Sequence, residues 1–257
     1  MSSPTTEKAS KFVLALQFWQ GDRDAAMRNA RRIADNEPTY REDIEFCFVA
    51  RFDCPHDAAT VAHVSKKFPV SIYTGFRRGT GWPHGCNELW CDFMQESIRR
   101  VNDGKWAHVS GVLTFEADCV PVARNWIDLL LAEWGAARDD GKLLLGCWLP
   151  NSPGDTGTGH INGNAIFHPL IARQLNLVGC SPTAGWDWIL APIMAPHWRK
   201  TDLIRTLYHI PDAPKVLITG PGESGVCPVL VHGVKDSVVE DYADRVLRKE
   251  KMTTAVK

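Results

Sequence analysis

The stretch His108-Val-Ser-Gly-Val-Leu-Thr-Phe-Glu116-Ala-Asp118-Cys-Val-Pro121 decides how this chain is read. An apolar, β-branched run suited to a buried strand ends in two carboxylates one residue apart, and a proline then stops the strand. Side chains alternate along a strand, so Glu116 and Asp118 are expected on the same side at its C-terminal end. Two carboxylates that close repel each other unless a cation lies between or beside them. The carboxyl ends of strands are also where open α/β sheets bind ligands. A hard divalent cation, Mg²⁺ or Mn²⁺, held by oxygen ligands and shared with a substrate phosphate, meets both conditions. Acid-x-acid triplets are common, and a solvated turn with two unrelated acids accounts for a lone one equally well. The weight of this triplet therefore rests on its surroundings.

Outward from that strand the pattern alternates strand and helix. Upstream, residues 12–19 read as a first strand, 23–35 as an arginine-bearing helix and 43–52 as a second strand ending at Asp53. A helix over 57–67, a short strand over 70–73 and the glycine-rich segment 75–81 lead to a long helix over 87–101. Downstream come a helix over 126–137, strands over 143–149 and 161–167, a helix over 185–194 and a last strand over 229–231. Residues 151–159 form a Gly/Pro/Ser/Thr loop. This alternation predicts an α/β protein: a mostly parallel central sheet flanked by helices on both faces. The expected organisation is a polar N-terminal segment (1–11), one Rossmann-like domain (12–238) and a charged C-terminal helix or tail (239–257).

The 257 residues carry a formal net charge of -1, so no strongly basic balance advertises nucleic-acid binding. None of the eight cysteines forms a CxxC pair, which argues against a zinc ribbon or finger. Cys47, Cys119, Cys147 and Cys227 lie in or beside apolar runs and are expected as reduced core residues. The first eleven residues lack the apolar core of a secretory signal, and the longest early apolar run is far too short to span a bilayer. The expectation is a cytoplasmic-type protein without membrane insertion.

Further motifs gain meaning beside Glu116 and Asp118: His232-Gly-Val-Lys235, Gly81-Trp-Pro-His-Gly-Cys-Asn87, Asn162-Gly-Asn164 and Gly185-Trp-Asp187-Trp188. In element order, residues 12–236 resemble a glycosyltransferase of the GT-A type, a fold that uses nucleotide-diphosphate sugars. The resemblance implies that Glu116 and Asp118 are an E-x-D variant of the family's DxD motif. Asp118 would then ligate the metal directly, and Glu116 would touch metal, ribose or sugar. His232 matches the late histidine that completes the metal shell, and Lys235 the nearby cation that reaches the diphosphate. Gly81 and Asn87 fall at the mouth of the nucleotide pocket, where Cys86 replaces the family's usual arginine, and Arg77 and Arg78 are alternative phosphate-facing cations. Asp53 corresponds to a base- or ribose-binding position, although a helix cap explains it as well. Asn164 lies in the segment that approaches the donor sugar. Asp187 matches the acid near the acceptor: a general base in an inverting enzyme, a donor-orienting group in a retaining one. His160 and His197 are further participants to weigh, each with a structural role as the alternative.

The expected activity is metal-dependent transfer of a sugar, with a UDP-sugar favoured as donor, to an acceptor hydroxyl (EC 2.4, hexosyltransferase type). The acceptors compatible with a chain of this kind are glycans or lipid-linked intermediates, proteins, small molecules and hydroxymethylated DNA bases, as in viral DNA-modifying enzymes. A DNA acceptor would use Arg23, Arg28, Arg31, Arg32, Arg77, Arg78, Arg99 and Arg100 and would place the chain in a host cytoplasm; a solvated surface explains the same charges. Two other readings stand beside this one. A nucleotidyltransferase also uses carboxylate-bound metal, but the segment after the first strand has a single glycine where a phosphate loop is wanted. A degenerate, non-catalytic binding module is the other.

Overall fold

The computed structural model describes residues 11–151, 158–175, 184–207, 220–233 and 243–244. β1 (Lys11–Phe18) is a nearly continuous apolar strand, with Phe12 to Leu16 buried throughout, as a strand covered on both faces requires. α1 (Arg23–Asn36) buries one stripe, Ala26, Met27, Ala30, Ile33 and Ala34, at helical spacing. β2 (Ile44–Ala50) is followed by α2 (Ala58–Val64), whose N-cap is Asp57; the Asp57 carboxylate accepts the Thr60 N–H. The cap reading for Asp53 is thereby corrected, because the chain enters this helix four residues later. β3 (Val70–Thr74), α3 (His84–Asn102), β4 (Val109–Glu116), the two-residue β5 (Val120–Pro121) and α4 (Trp126–Asp139) come next.

The second half contains β6 (Leu144–Pro150), β7 (Gly159–Phe167), a 3-10 turn at Pro169–Arg173, α5 (Trp186–Ile189) and α6 (Ala191–Met194). A second 3-10 turn (Ala195–His197) leads to β8 (Trp198–Lys200), β9 (Ile204–Thr206) and β10 (Leu230–His232). The single helix expected over 185–194 is in fact two short ones. Pro192 occupies the first turn of α6, where it needs no hydrogen-bond partner for its nitrogen, but it cannot continue α5.

Seven strands form one sheet in the order β3-β2-β1-β4-β7-β6-β8. The β3–β2, β2–β1, β1–β4 and β6–β8 pairs are parallel, while β7 runs antiparallel to both neighbours. Alternation along each strand feeds two cores. Phe12, Leu14 and Leu16 pack with α1 and α4, including Ile33, Trp126, Leu130 and Trp134, and Val13 and Ala15 pack with Trp90, Phe93 and Met94 of α3. Helices thus cover both faces, as expected. β1 to β3 step outward on one side of β1 and β4 lies on the other, so the strand order switches direction between β1 and β4. That switch point is the ligand-binding position of doubly wound sheets.

A second, three-stranded sheet has the order β5-β10-β9. It departs from the sequence reading in an informative way. Pro121 does not simply end the acid-bearing strand; it belongs to β5, an edge strand, where a missing N–H is tolerated. Cys227, expected in the core, is exposed. The tail expected as a charged helix lies outside the described residues except for 243–244, where Ala243 is buried with Val120, Val122, Leu207 and Val231. Among the described residues, no helix is long and apolar enough to cross a membrane.

Candidate active site

Glu116 is the last residue of β4, and Asp118 lies in the tight turn that follows, closed by the Cys119 N–H donating to the Glu116 carbonyl at 3.0 Å. The two acids are therefore held together by a turn rather than by strand alternation. β5 leaves that turn directly and pairs antiparallel with β10, Val120 opposite Val231 and Pro121 opposite Leu230. One residue further, this register sets His232 beside the acid turn. Its Nε2 lies 3.0 Å from Glu116 Oε2 and 3.5 Å from Asp118 Oδ1. The imidazole is buried, with 6% of its side chain exposed, whereas Asp118 is 23% and Glu116 47% exposed. A histidine nitrogen and two carboxylate oxygens all within 4.8 Å of one another form a three-point ligand set that opens to solvent on the carboxylate side. Mixed imidazole and carboxylate donors suit a borderline-to-hard divalent ion, and the open side leaves positions for waters or phosphate oxygens. These residues therefore fit the expected cation.

β7 carries the site across the sheet. Thr114 pairs with Ala165, so Glu116 falls opposite Gly163 and next to Asn164. Asn164 is 1% exposed and is saturated by the acid turn: its Oδ1 accepts from the Glu116 N–H (2.8 Å) and the Cys119 thiol (2.9 Å), and its Nδ2 donates to Glu116 Oε2 (3.3 Å) and Asn162 Oδ1 (2.9 Å). From the other side, α1 ties the same turn down, because Asn29 Nδ2 donates to the Cys119 carbonyl. Gly163 links onward, its N–H donating to Asp187 Oδ2 at 3.2 Å. The Asp187 carboxylate also accepts the Trp188 N–H at 3.1 Å. Burial first, then the charge of Glu116, pushes Asp187 up to about 6. His160, 3% exposed, has its Nε2 3.8 Å from Asp187 Oδ2, and burial pushes it down to about 4. A neutral imidazole at that distance does not offset the Asp187 charge. His197 instead accepts the Leu143 N–H with its carbonyl, at the opposite end of the strands from Glu116.

The remaining predicted residues divide. Register sets Gln17 of β1 beside Glu116, and the chain then turns through Trp19 to Asp22. Asp22 closes the strand-end segment 17–22, which the resemblance assigns to base and ribose binding without naming this acid by itself; burial, followed by the charges of Glu116 and Asp118, raises its carboxyl to about 6 while it accepts the Trp19 N–H at 2.8 Å. The signal that pointed to it was an acid immediately past the first strand. Arg51, after β2, makes a bidentate pair with Asp53 (Nε to Oδ1, 2.7 Å) and stacks over Trp19 at 5.3 Å and Phe52 at 5.6 Å. Arg78 also lies over the Phe52 ring, at 4.9 Å. Cys86 is exposed at the start of α3, yet partial desolvation of its sulfur and the Glu116 and Asp22 charges push its thiol up to about 12. Arg77 is turned to the fold: its Nε stands 2.9 Å from the buried Asp92 Oδ1 as an ion pair, and Asp92 Oδ2 accepts the Phe76 and Arg77 backbone N–H groups. Gly81 has φ +69°, a left-handed conformation that favours glycine. Asn87 is 1% exposed and clamps the segment before Asp187, donating to the Ala184 carbonyl (2.9 Å) and accepting the Trp186 N–H (2.8 Å). Trp186 then stacks on Trp90 with centroids 3.6 Å apart. Lys235 lies outside the described residues.

Strand order, the reversed β7, the acid turn beside β1 and the small sheet carrying a late histidine together define the GT-A fold. Two solved structures of the galactosyltransferase LgtC share it. An active-site mutant of LgtC aligns with a TM-score of 0.57 and 12% identity over 93% of this chain and 95% of that one. LgtC in complex with donor and acceptor sugar analogs aligns with 0.55 and 11% identity over 92% and 95%. The apo form of mouse xyloside xylosyltransferase 1 gives 0.50 and 13% identity over 87% and 97%. No protein-family profile and no curated protein sequence matches the chain.

Proposed function

We propose that the chain is a metal-dependent glycosyltransferase that moves a sugar from a nucleotide-diphosphate donor, a UDP-sugar favoured, to an acceptor hydroxyl. The observation that carries this reading is the convergence of Glu116, Asp118 and His232 at the β1/β4 switch point of a GT-A fold. Glu116, Asp118 and His232 hold the cation, Mn²⁺ being favoured by the imidazole. Bound there, a divalent ion supplies positive charge to the diphosphate as the glycosidic bond breaks. Lys235, three residues past His232, adds a second positive charge to the leaving group. The ribose and base lie along the ends of β1 and β2, with Trp19, Arg51 and Phe52 as a stacking wall and Asp53 as a hydroxyl or N–H acceptor, its orientation fixed by Arg51. Asp187 takes the proton of the acceptor hydroxyl; a carboxyl near 6 is ionised at neutral pH and still basic enough to help.

The acceptor stays general. Arg23, Arg31, Arg32, Arg77, Arg99 and Arg100 all engage acidic side chains of the protein itself, so they give a DNA-backbone contact no particular support. Hydrolysis of a panel of nucleotide sugars with and without Mn²⁺ tests the proposal. Turnover of one donor, abolished by chelation, is expected; binding and turnover of none overturns it.

A further inference from the structure

We infer that Asn164 is a positioning residue that shapes the cation site, rather than a ligand of the donor sugar; the inference rests on the metal-binding reading above. The amide orientation is dictated by its partners. Two donors, the Glu116 N–H and the Cys119 thiol, converge on one end, and two acceptors, Glu116 Oε2 and Asn162 Oδ1, on the other. A flipped amide would set its NH₂ against the backbone N–H and its oxygen against a carboxylate. With both ends occupied and 1% of the residue exposed, Asn164 has no free capacity for a sugar hydroxyl. What it does hold is both ends of the turn, the backbone of Glu116 and the side chain of Cys119, together with the carboxylate of Glu116 itself. The turn in turn sets where Asp118 stands relative to His232.

Groups that orient metal ligands typically change affinity about 10- to 100-fold when removed. Binding of Mn²⁺ alone to the full chain, without donor, measured as loss of the free-ion EPR signal at a temperature well below unfolding, separates the roles. Asn164→Ala is expected to weaken Mn²⁺ binding by about tenfold or more. Asn164→Ser is expected to weaken it less and keeps a hydroxyl at the site should the alanine variant not fold. A core control, Ile33→Val, is expected to lower the unfolding midpoint but leave Mn²⁺ affinity unchanged, which distinguishes positioning from general destabilisation. Folded Asn164 variants that bind Mn²⁺ within twofold of wild type while losing UDP-sugar affinity overturn the inference and leave the metal site standing. A wild-type chain that binds no Mn²⁺ overturns the metal reading itself, and the inference with it.

Discussion

Asp187 is held in an environment that disfavours its charge, and the sign of the consequence follows from that. Its folded carboxyl titrates near 6 against 3.8 for an ordinary aspartate, so the folded chain keeps this proton more tightly than the unfolded chain does. Stability linked to Asp187 is full at low pH, is lost as pH rises between about 4 and 6, and stays absent above. The difference in unfolding free energy between Asp187→Asn and wild type is expected to grow in favour of the variant from about pH 4.5 to about pH 8, by at most about 3 kcal/mol. Comparing the two pH series cancels the lost hydrogen bond, since asparagine accepts only one of the two N–H groups now on the carboxylate. The same variant is expected to lose transfer activity and the acid limb of the wild-type rate profile near pH 6. A flat stability difference across that range contradicts the buried-carboxylate assignment. Within the ligand set, Asp118→Asn is expected to lower donor turnover by about 100-fold or more, and His232→Ala to lower Mn²⁺ affinity by a similar factor, each read by titration with Mn²⁺.

At the scale of elements, the long, strongly patterned pieces were legible. β1, β2, β4, α1, α3 and α4 stand close to where their apolar runs and 3.6-residue stripes put them. The acid pair was legible as a strand end for the same reason. What the sequence could not show is why the acids and His232 meet: β10 is legible as the last strand, but its partner β5 is two residues long, too short for any period to register, and their pairing is what joins the two segments. The sequence points to Asn87 and Asn164 as donor-side residues, and the structure gives both of them buried partners within the protein. An asparagine offers the same chemistry to a sugar as to its own backbone, and only burial decides between them. Asn87 illustrates the difference in a testable way, since its amide bonds the Ala184 carbonyl and the Trp186 N–H on the approach to Asp187. Asn87→Ala is expected to destabilise the fold by about 1–3 kcal/mol and to reduce kcat. Its Mn²⁺ affinity is expected to stay at the wild-type value, and a loss there contradicts a role confined to the approach to Asp187.

For the molecule as a whole, the site sits between two halves of different character. A parallel β1-β2-β3 half with helices on both faces is built from continuous apolar strands, and its parallel character with flanking helices was readable from the alternation of strand and helix. The half from β6 onward uses short elements, an antiparallel strand and a broken helix, where sequence patterns compete with proline and local turns. Residues of both halves contribute to the same site, so a ligand that bridges them stabilises the fold in proportion to its occupancy. Mn²⁺ with UDP, each at about 100 times its dissociation constant, is expected to raise the unfolding midpoint by roughly 5 °C or more. The most direct test of the central assignment is hydrolysis of UDP-sugars by the wild-type chain and by Asp118→Asn, each with Mn²⁺ and with chelator. Donor cleavage by wild type in Mn²⁺ alone, lost in the variant and in chelator, is the predicted result; cleavage that persists in the variant or in chelator contradicts it.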